Sequence, residues 1–506
     1  VDAQPLPAPG VVGPPRRSVL VDGLIVCLAC GTKNPMGTTF CSNADCGGAV
    51  CSSGVCERPE CSGNDACASY GSEFTCVRGG CFAVDEEVCT VDQDLESGTG
   101  KNLHIGALFP FSGRNAVKAE ATYEGAKTAL SQINLTSDGV RNVNLSMIRC
   151  DTENNADRAV EVARYLIDVV GVQSVIGSIS SSETLAIAQE VAIPAGVAMI
   201  SPASTSPAIS ALEDKDLVWR TIASDSLQGP ALAWLVSKNV HEKVLVLKVE
   251  SAYGAGLFDT FIGAGIVPVD AIEAVTYTVD DDGTLVVNSM IDEVTTLIAD
   301  EGYVPDAIVV LGSVETQQLI FALDDTLFGE LAEEEKPQWI LSEAARDPGL
   351  LEPRFNNIWP RITGTLIRTE NSDVFQDFQL RYESAFERSL DDHPFADNAY
   401  DAAWLLALAH GAYADPVQTT GADVADTLGR TVSGDGFQPG DPLKPALDAL
   451  QEGRVDYQGA SGPVDFQTST GDVLSDIAAW TITTEADGDP VFNSLGVIYT
   501  AEGEKL

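Results

Sequence analysis

The sequence predicts an α/β protein made of two doubly wound parallel-sheet lobes in succession, preceded by a small disulfide-rich region. Three observations carry this prediction. Eleven of the twelve cysteines lie between Cys27 and Cys89, the other being Cys150. From Leu103 onward, short apolar runs alternate with amphipathic helical stretches, as parallel strands joined by crossing helices require. That alternation starts afresh after Trp219. A chain of 506 residues is too long for one core, and 44% hydrophobic with 21% charged residues makes it globular rather than disordered.

At the N-terminus, residues 1–26 contain "QPLPAPGVVGPP" and read as an extended, Pro-rich tether. The chain starts at Val1 without an initiator Met and shows neither a signal-peptide core nor an 18-residue apolar run, as expected of a processed form. In the cysteine-rich module, 27–90, the spacing nearly repeats: Cys41, Cys46, Cys51 and Cys56, then Cys61, Cys67, Cys76 and Cys81. So short a stretch cannot bury a large core and needs covalent staples, which implies an oxidising compartment. Which cysteines pair is not readable from spacing. Cys27, Cys30, Cys41 and Cys46 offer the one metal alternative, a zinc site of two thiolate pairs, although the second pair is more widely spaced than in a zinc ribbon.

The α/β pattern then runs in order. "LHIGALF" (103–109) reads as a buried strand, followed by a helix with Tyr123, Ala126, Leu130 and Ile133 on one face. "VNLSMIRC" (143–150) and "SVIG" (174–177) are strands, with Ala159, Ala163, Leu166 and Val170 forming the helical face between them. A helix over 183–193 delivers the chain to the strand at 197–200. The second block has a helix near 227–239, the strand "KVLVLKV" (243–249), a helix after Tyr253 and a strand over 267–277. Met290, Val294, Leu297 and Ile298 give a further helical face before the strands "DAIVVLG" (306–312) and "QWILS" (338–342).

Charge and motifs exclude several functions. With 29 basic against 75 acidic residues, the net charge is −46. Such a field repels nucleic acid and anionic membranes, so no nucleic-acid partner is expected. There is no Gly-x-Ser-x-Gly elbow, His-Glu-x-x-His, P-loop or dinucleotide glycine fingerprint. His104, His241, His393 and His410 stand apart from one another, and "DDDG" (280–283) lacks the alternating ligands of a calcium loop. Neither catalysis nor a cofactor is expected.

In open parallel sheets, ligands bind beyond the carboxyl ends of the strands. Two hydroxyl clusters occupy such ends: Ser180, Ser181 and Ser182 after "SVIG", and "SPASTSP" (201–207) after the strand at 197–200. Either cluster alone reads as a helix cap. Together, on adjacent strand ends, they point to one crevice where backbone N–H groups and hydroxyls hold an anion.

The stretches "GALFPFSG", "VIGSISSSETLAIAQEVAIPAGVAMISPASTSPAI", "WRTIASDSLQGPALA" and "SAYGAGLF", in that order, resemble the periplasmic leucine/isoleucine/valine-binding protein family, type I solute receptors of Venus-flytrap form. The resemblance runs from about residue 103 to the C-terminus and leaves the cysteine-rich unit outside. It implies two lobes joined by a three-strand hinge: lobe one from 103–222 plus 367–458, lobe two from 223–366 plus 459–500. "NAYDAAWLLALAHGAY" resembles the long helix of lobe one, and "GASGPVDFQTSTGDV" is similar to the closing segment.

The resemblance also implies a site that holds an amino acid by its zwitterionic head. Ser181 matches the serine that takes the carboxylate, with Ser182 and Ser204 in the same clusters. Ala203 matches the carbonyl that accepts from the ammonium, and Thr205 the residue that contacts both ends. Glu343 matches the acid of lobe two that pairs with the ammonium, and Tyr253 the aromatic that closes over the ligand. At two positions where the family carries aromatics this chain has Lys118 and Ser313. Phe111, Phe395 and Asp397 are further candidates for the pocket wall. These departures favour a polar or acidic amino acid, or another small carboxylate, over an aliphatic one.

The expected role is that of a monomeric periplasmic or cell-surface solute-binding protein, tethered through its N-terminus, that presents its ligand to an ABC transporter permease. The alternative is a sensory surface receptor with the same flytrap, and a third is a flytrap that no longer binds. Cys150 does not fall where the family's lobe-one disulfide sits, which leaves it either free or paired with the odd N-terminal cysteine.

Overall fold

Runs such as "AMIS" and "AIVVL" carry apolar side chains toward both faces, so they settle only in sheets covered by helices on both sides. Two such sheets form. The structure is a computed structural model that describes residues 18–21, 24–27, 50–52, 55–70, 74–96, 100–238, 242–280, 287–301, 303–369, 371–390, 395–485 and 488–505.

The first sheet has six strands in the spatial order Val218–Arg220, Ala198–Ser201, Ser174–Gly177, Asn102–Phe109, Asn144–Asp151, Cys89–Val91. All pairings are parallel except that of the edge strand Cys89–Val91. The second has seven, in the order Ile272–Tyr277, Val244–Val249, Ala307–Leu311, Gln338–Leu341, Ile362–Ile367, Ile477–Thr484, Pro490–Tyr499, of which the last two are antiparallel additions. In each sheet the five parallel strands follow the order 2-1-3-4-5 of a doubly wound fold.

Helices cover both faces of each sheet. Ala116–Ser137 and Ala396–Gly411, the latter buried at every position but Asn398, pack together over the first sheet. They come close because Gly125 lies against the backbone of Ala396, where a Cβ would sit 2.0 Å from the carbonyl oxygen. Asp373–Phe386 joins that core through Val374, Phe378 and Tyr382. The chain crosses between sheets three times: from Arg220 into the helix Asp225–Lys238, from Ile367 back to Asp373, and from Val473, which bridges to Ala223, on to Ile477. The expected strand over 267–277 is shorter. Pro268 caps a 3-10 turn, Val269–Ala271, and pairing starts at Ile272.

In the cysteine-rich region, the helix Asn64–Cys67 and the hairpin Phe74–Val77/Gly80–Ala83 are stapled by Cys61–Cys76 and Cys67–Cys81. Cys150 pairs with Cys89, which fastens the edge strand to its neighbour and settles the alternative left open by the sequence. Glu96 ties the module to the first lobe. It accepts from Thr75 Oγ1 (3.2 Å) and Asn64 Nδ2 on one side, and from Asn102 Nδ2 (2.8 Å), Ser146 Oγ (2.8 Å) and His104 Nε2 (2.6 Å) on the other. Two short hairpin strands, Ser18–Val21 and Leu24–Cys27, lie in the stretch read as a tether, the second reaching Cys27 of the module. Cys27, Cys30, Cys41 and Cys46 of the zinc alternative lie outside the residues whose side chains are described.

Candidate ligand-binding site

A strand order of 2-1-3-4-5 leaves a crevice between the carboxyl ends of strands 1 and 3, where the connections part to opposite faces. In the first sheet those strands are Asn102–Phe109 and Ser174–Gly177, and the loops and helix starts after them supply Arg114, Asn115, Lys118 and Ser180 to Ser182. In the second they are Val244–Val249 and Ala307–Leu311, followed by Ser251, Tyr253, Ser313 and Glu315. The two crevices face each other across one cavity of about 70 Å³, completed by Ala203, Glu343, Ala344 and Phe395. The lobes touch across it. Ala252 N donates to Ser182 Oγ at 3.1 Å, Ser206 Oγ to Ala252 O at 3.0 Å, and Lys118 Nζ to Ala344 O at 2.6 Å.

On the first lobe, Gly177 lets the strand end approach its neighbour: a Cβ there would sit 2.0 Å from Leu108 O, and its φ of +129° disfavours any L side chain. The chain then turns so that Ser181 opens the helix Ser181–Ile187, whose backbone N–H groups suit an anion. Ser181 Oγ accepts from Ser206 N at 3.3 Å, which leaves the hydroxyl proton available to a ligand. Ser204 and Thr205 stand behind the cavity wall. Ser204 Oγ reaches Ser178 O (3.0 Å) and Thr184 Oγ1 (2.8 Å), and Thr205 Oγ1 donates to Asp225 Oδ2 (2.9 Å).

A fully buried arginine fixes that jaw. Arg220 donates to Ser204 O (3.2 Å), Ser206 O (3.0 Å), Ser210 Oγ (2.6 Å) and, through Nε, Asp472 Oδ1 (2.8 Å), with a second bond from Nη2 to the same carboxylate. The loop that presents Ala203 is therefore held to a segment near the C-terminus.

Opposite lies Glu343, at the end of Gln338–Leu341 and buried. Tyr253 OH donates to its Oε2 at 3.2 Å, and its backbone N–H is held by Gln228 Oε1 at 3.0 Å. Asp225, linked to the same Gln228 through Nε2 at 2.8 Å, brings a second buried carboxylate close by. Burial pushes both acids upward, and the Glu343 charge raises Asp225 further. Two desolvated carboxylates beside a cavity create a demand for a cation. In this closed arrangement Lys118 partly meets it. Its charge holds Glu343 down, while burial lowers its own ammonium against the opposing pull of Asp347, Glu315 and Glu343.

The structure thus brings Ser181, Ser182, Ala203, Tyr253, Glu343, Lys118, Ser313 and Phe395 to one cavity. Phe111 lies apart, stacked edge-on with Tyr123 and under the Arg149 guanidinium. Asp397 accepts from Thr369 Oγ1 at 2.8 Å and lines a second cavity of about 260 Å³ toward the hinge, which shares Glu343 and Phe395 with the first. Sequence reasoning missed Arg114, Asn115, Ser251 and Glu315 in the lining and Asp225, Gln228 and Arg220 behind it. Position at the ends of strands 1 and 3 was the signal that could have found the lining residues.

Two sheets of one topology, joined by three crossings and opposing their crevices, give the chain the two-lobed type I periplasmic-binding-protein fold. Residues 121–484 match the family described as "Receptor family ligand binding region", and the chain belongs to that family. A similar relative is the chemotactic signal transduction system substrate-binding protein BasB of Halobacterium salinarum, 27% identical over 378 residues, 72% of this chain and 84% of that protein. The Leu/Ile/Val-binding protein of Citrobacter freundii is 32% identical over 158 residues, so the match spans 31% of this chain and less than half, 42%, of that relative. Among solved structures, leucine binding protein LivK from Thermotoga maritima superposes with a TM-score of 0.59 at 20% identity, covering 77% of this chain and 97% of that one. A Rhodopseudomonas palustris solute binding protein in complex with benzoate gives 0.58 at 18% identity, covering 78% and 96%.

Proposed function

We propose that the protein captures an amino acid outside the cytoplasm by its zwitterionic head and signals capture through lobe closure. The observation that carries this reading is Glu343: a buried carboxylate backed by Asp225, facing across the cavity the helix start at Ser181. An ammonium satisfies the first and a carboxylate the second, each by charge-assisted hydrogen bonds. The three disulfides among the described residues support an oxidising location. No helix among the described residues is long and apolar enough to cross a membrane.

Closure brings Ser182, Ser206 and Lys118 against lobe two, and the closed surface is what an ABC transporter permease would read. A second reading, a sensory module reporting to a signalling partner, is favoured by the similarity to BasB over most of both chains. A thermal-shift screen of the twenty amino acids and plain carboxylates tests the shared claim. A ligand at 100 times its Kd should add about 2.7 kcal/mol of stability. A screen in which only plain acids such as benzoate stabilise the protein would overturn the amino-acid reading.

A further inference from the structure

Resting on the amino-acid reading above, we infer that the cleft selects an amino acid whose side chain ends in a carboxamide, asparagine or glutamine. Three of the residues that line the cavity carry buried polar side-chain atoms without a hydrogen-bond partner. Glu315, 1% exposed, uses Oε1 to accept from Tyr277 OH and Ser313 N, both at 2.9 Å, while its buried Oε2 makes no hydrogen bond. Asn115, 9% exposed, donates through Nδ2 to Asn154 Oδ1 at 2.7 Å and leaves Oδ1 buried and unpartnered. Arg114 Nε is buried without an acceptor. Lys118 carries three N–H donors, of which two are directed at Ala344 O (2.6 Å) and Ser313 Oγ (3.4 Å). All four residues line the cavity.

This set asks for one group that both donates and accepts. A carboxamide fits: its carbonyl accepts from Lys118 or Arg114, and its NH2 donates to Glu315 Oε2 and Asn115 Oδ1. A carboxylate side chain would place a second anion against Glu315. An ammonium or guanidinium would meet Lys118 and Arg114. An aliphatic chain would leave every one of these buried atoms unsatisfied.

The test is isothermal titration of the full chain with asparagine, glutamine, aspartate, glutamate, lysine and leucine, repeated with Glu315→Gln. Asparagine or glutamine is expected to bind at least about 100-fold more tightly than leucine or aspartate, because buried hydrogen-bonding groups reject ligands that leave them unpaired. Glu315→Gln, which keeps an acceptor for Tyr277 and Ser313, should narrow the preference for asparagine over aspartate by about tenfold or more. Leucine or aspartate binding as tightly as the amides, or a selectivity untouched by Glu315→Gln, overturns this inference while leaving the amino-acid reading standing. Failure of every amino acid to bind overturns both.

Discussion

Replacing Arg220 by Met exposes what the clamp behind the ligand loop contributes. Arg220 has no exposed surface and its side chain donates to Ser204 O, Ser206 O, Ser210 Oγ and the Asp472 carboxylate. Removal leaves Asp472, 5% exposed, as a buried anion whose remaining side-chain donor is Ser210 Oγ at 2.7 Å. Breaking a buried pair on one side costs about 3–5 kcal/mol. At about 2–4 °C per kcal/mol for a unit of 150–250 residues, the melting temperature should fall by roughly 6–20 °C in calorimetry. Because most of that cost is the stranded charge, the double variant Arg220→Met/Asp472→Leu should recover part of the loss. A single variant within about 1 kcal/mol of the parent, or a double variant as unstable as the sum of both singles, would refute this account of the clamp.

Other perturbations test other parts of the molecule. Cys89→Ala with Cys150→Ala opens a loop with a sequence separation of 61 and should cost about 4 kcal/mol by loop-closure entropy, read in urea unfolding. Glu96→Ala removes the acceptor shared by the cysteine-rich module and the first lobe, and faster hydrogen exchange confined to the hairpin at 74–83 is the expected readout. Burial raises Glu183 to about 7, so the folded chain holds a proton that the unfolded chain releases near its ordinary value. Stability relative to Glu183→Gln should therefore fall as pH rises from about 4.5 through about 7, and melting curves of both proteins that stay parallel over that window would refute it.

The two parallel sheets were legible because Val-, Ile- and Leu-rich runs buried on both faces admit no other setting, and strand ends then locate the crevice. Ser181 was reached in this way, whereas Tyr253 and Glu343 came only from the family resemblance; the structure brings all three to one cavity. The C-terminal hairpin was not found. Pro490–Tyr499 is an antiparallel edge strand with much of its surface exposed, so it carries no run of buried aliphatics. Contacts between distant residues were harder to read: Arg220 meets Asp472 across 252 positions, and whether Cys150 pairs stayed open until the pairing of its strand with Cys89–Val91 decided it. The directions of Ser204 and Thr205 depend on how the turn after Ser201 folds back on Ser178 and Asp225, which hydroxyl content alone does not encode.

The central claim is that Glu343 holds a ligand ammonium while the first lobe holds the carboxylate. Titrating the parent and Glu343→Gln with the tightest-binding amino acid and with its deaminated analogue tests it most directly. Losing a charge-assisted hydrogen bond of about 1.5–3 kcal/mol should weaken the amino acid roughly 10- to 150-fold and leave the analogue nearly unchanged. An equal loss for both ligands, or none for either, would contradict it.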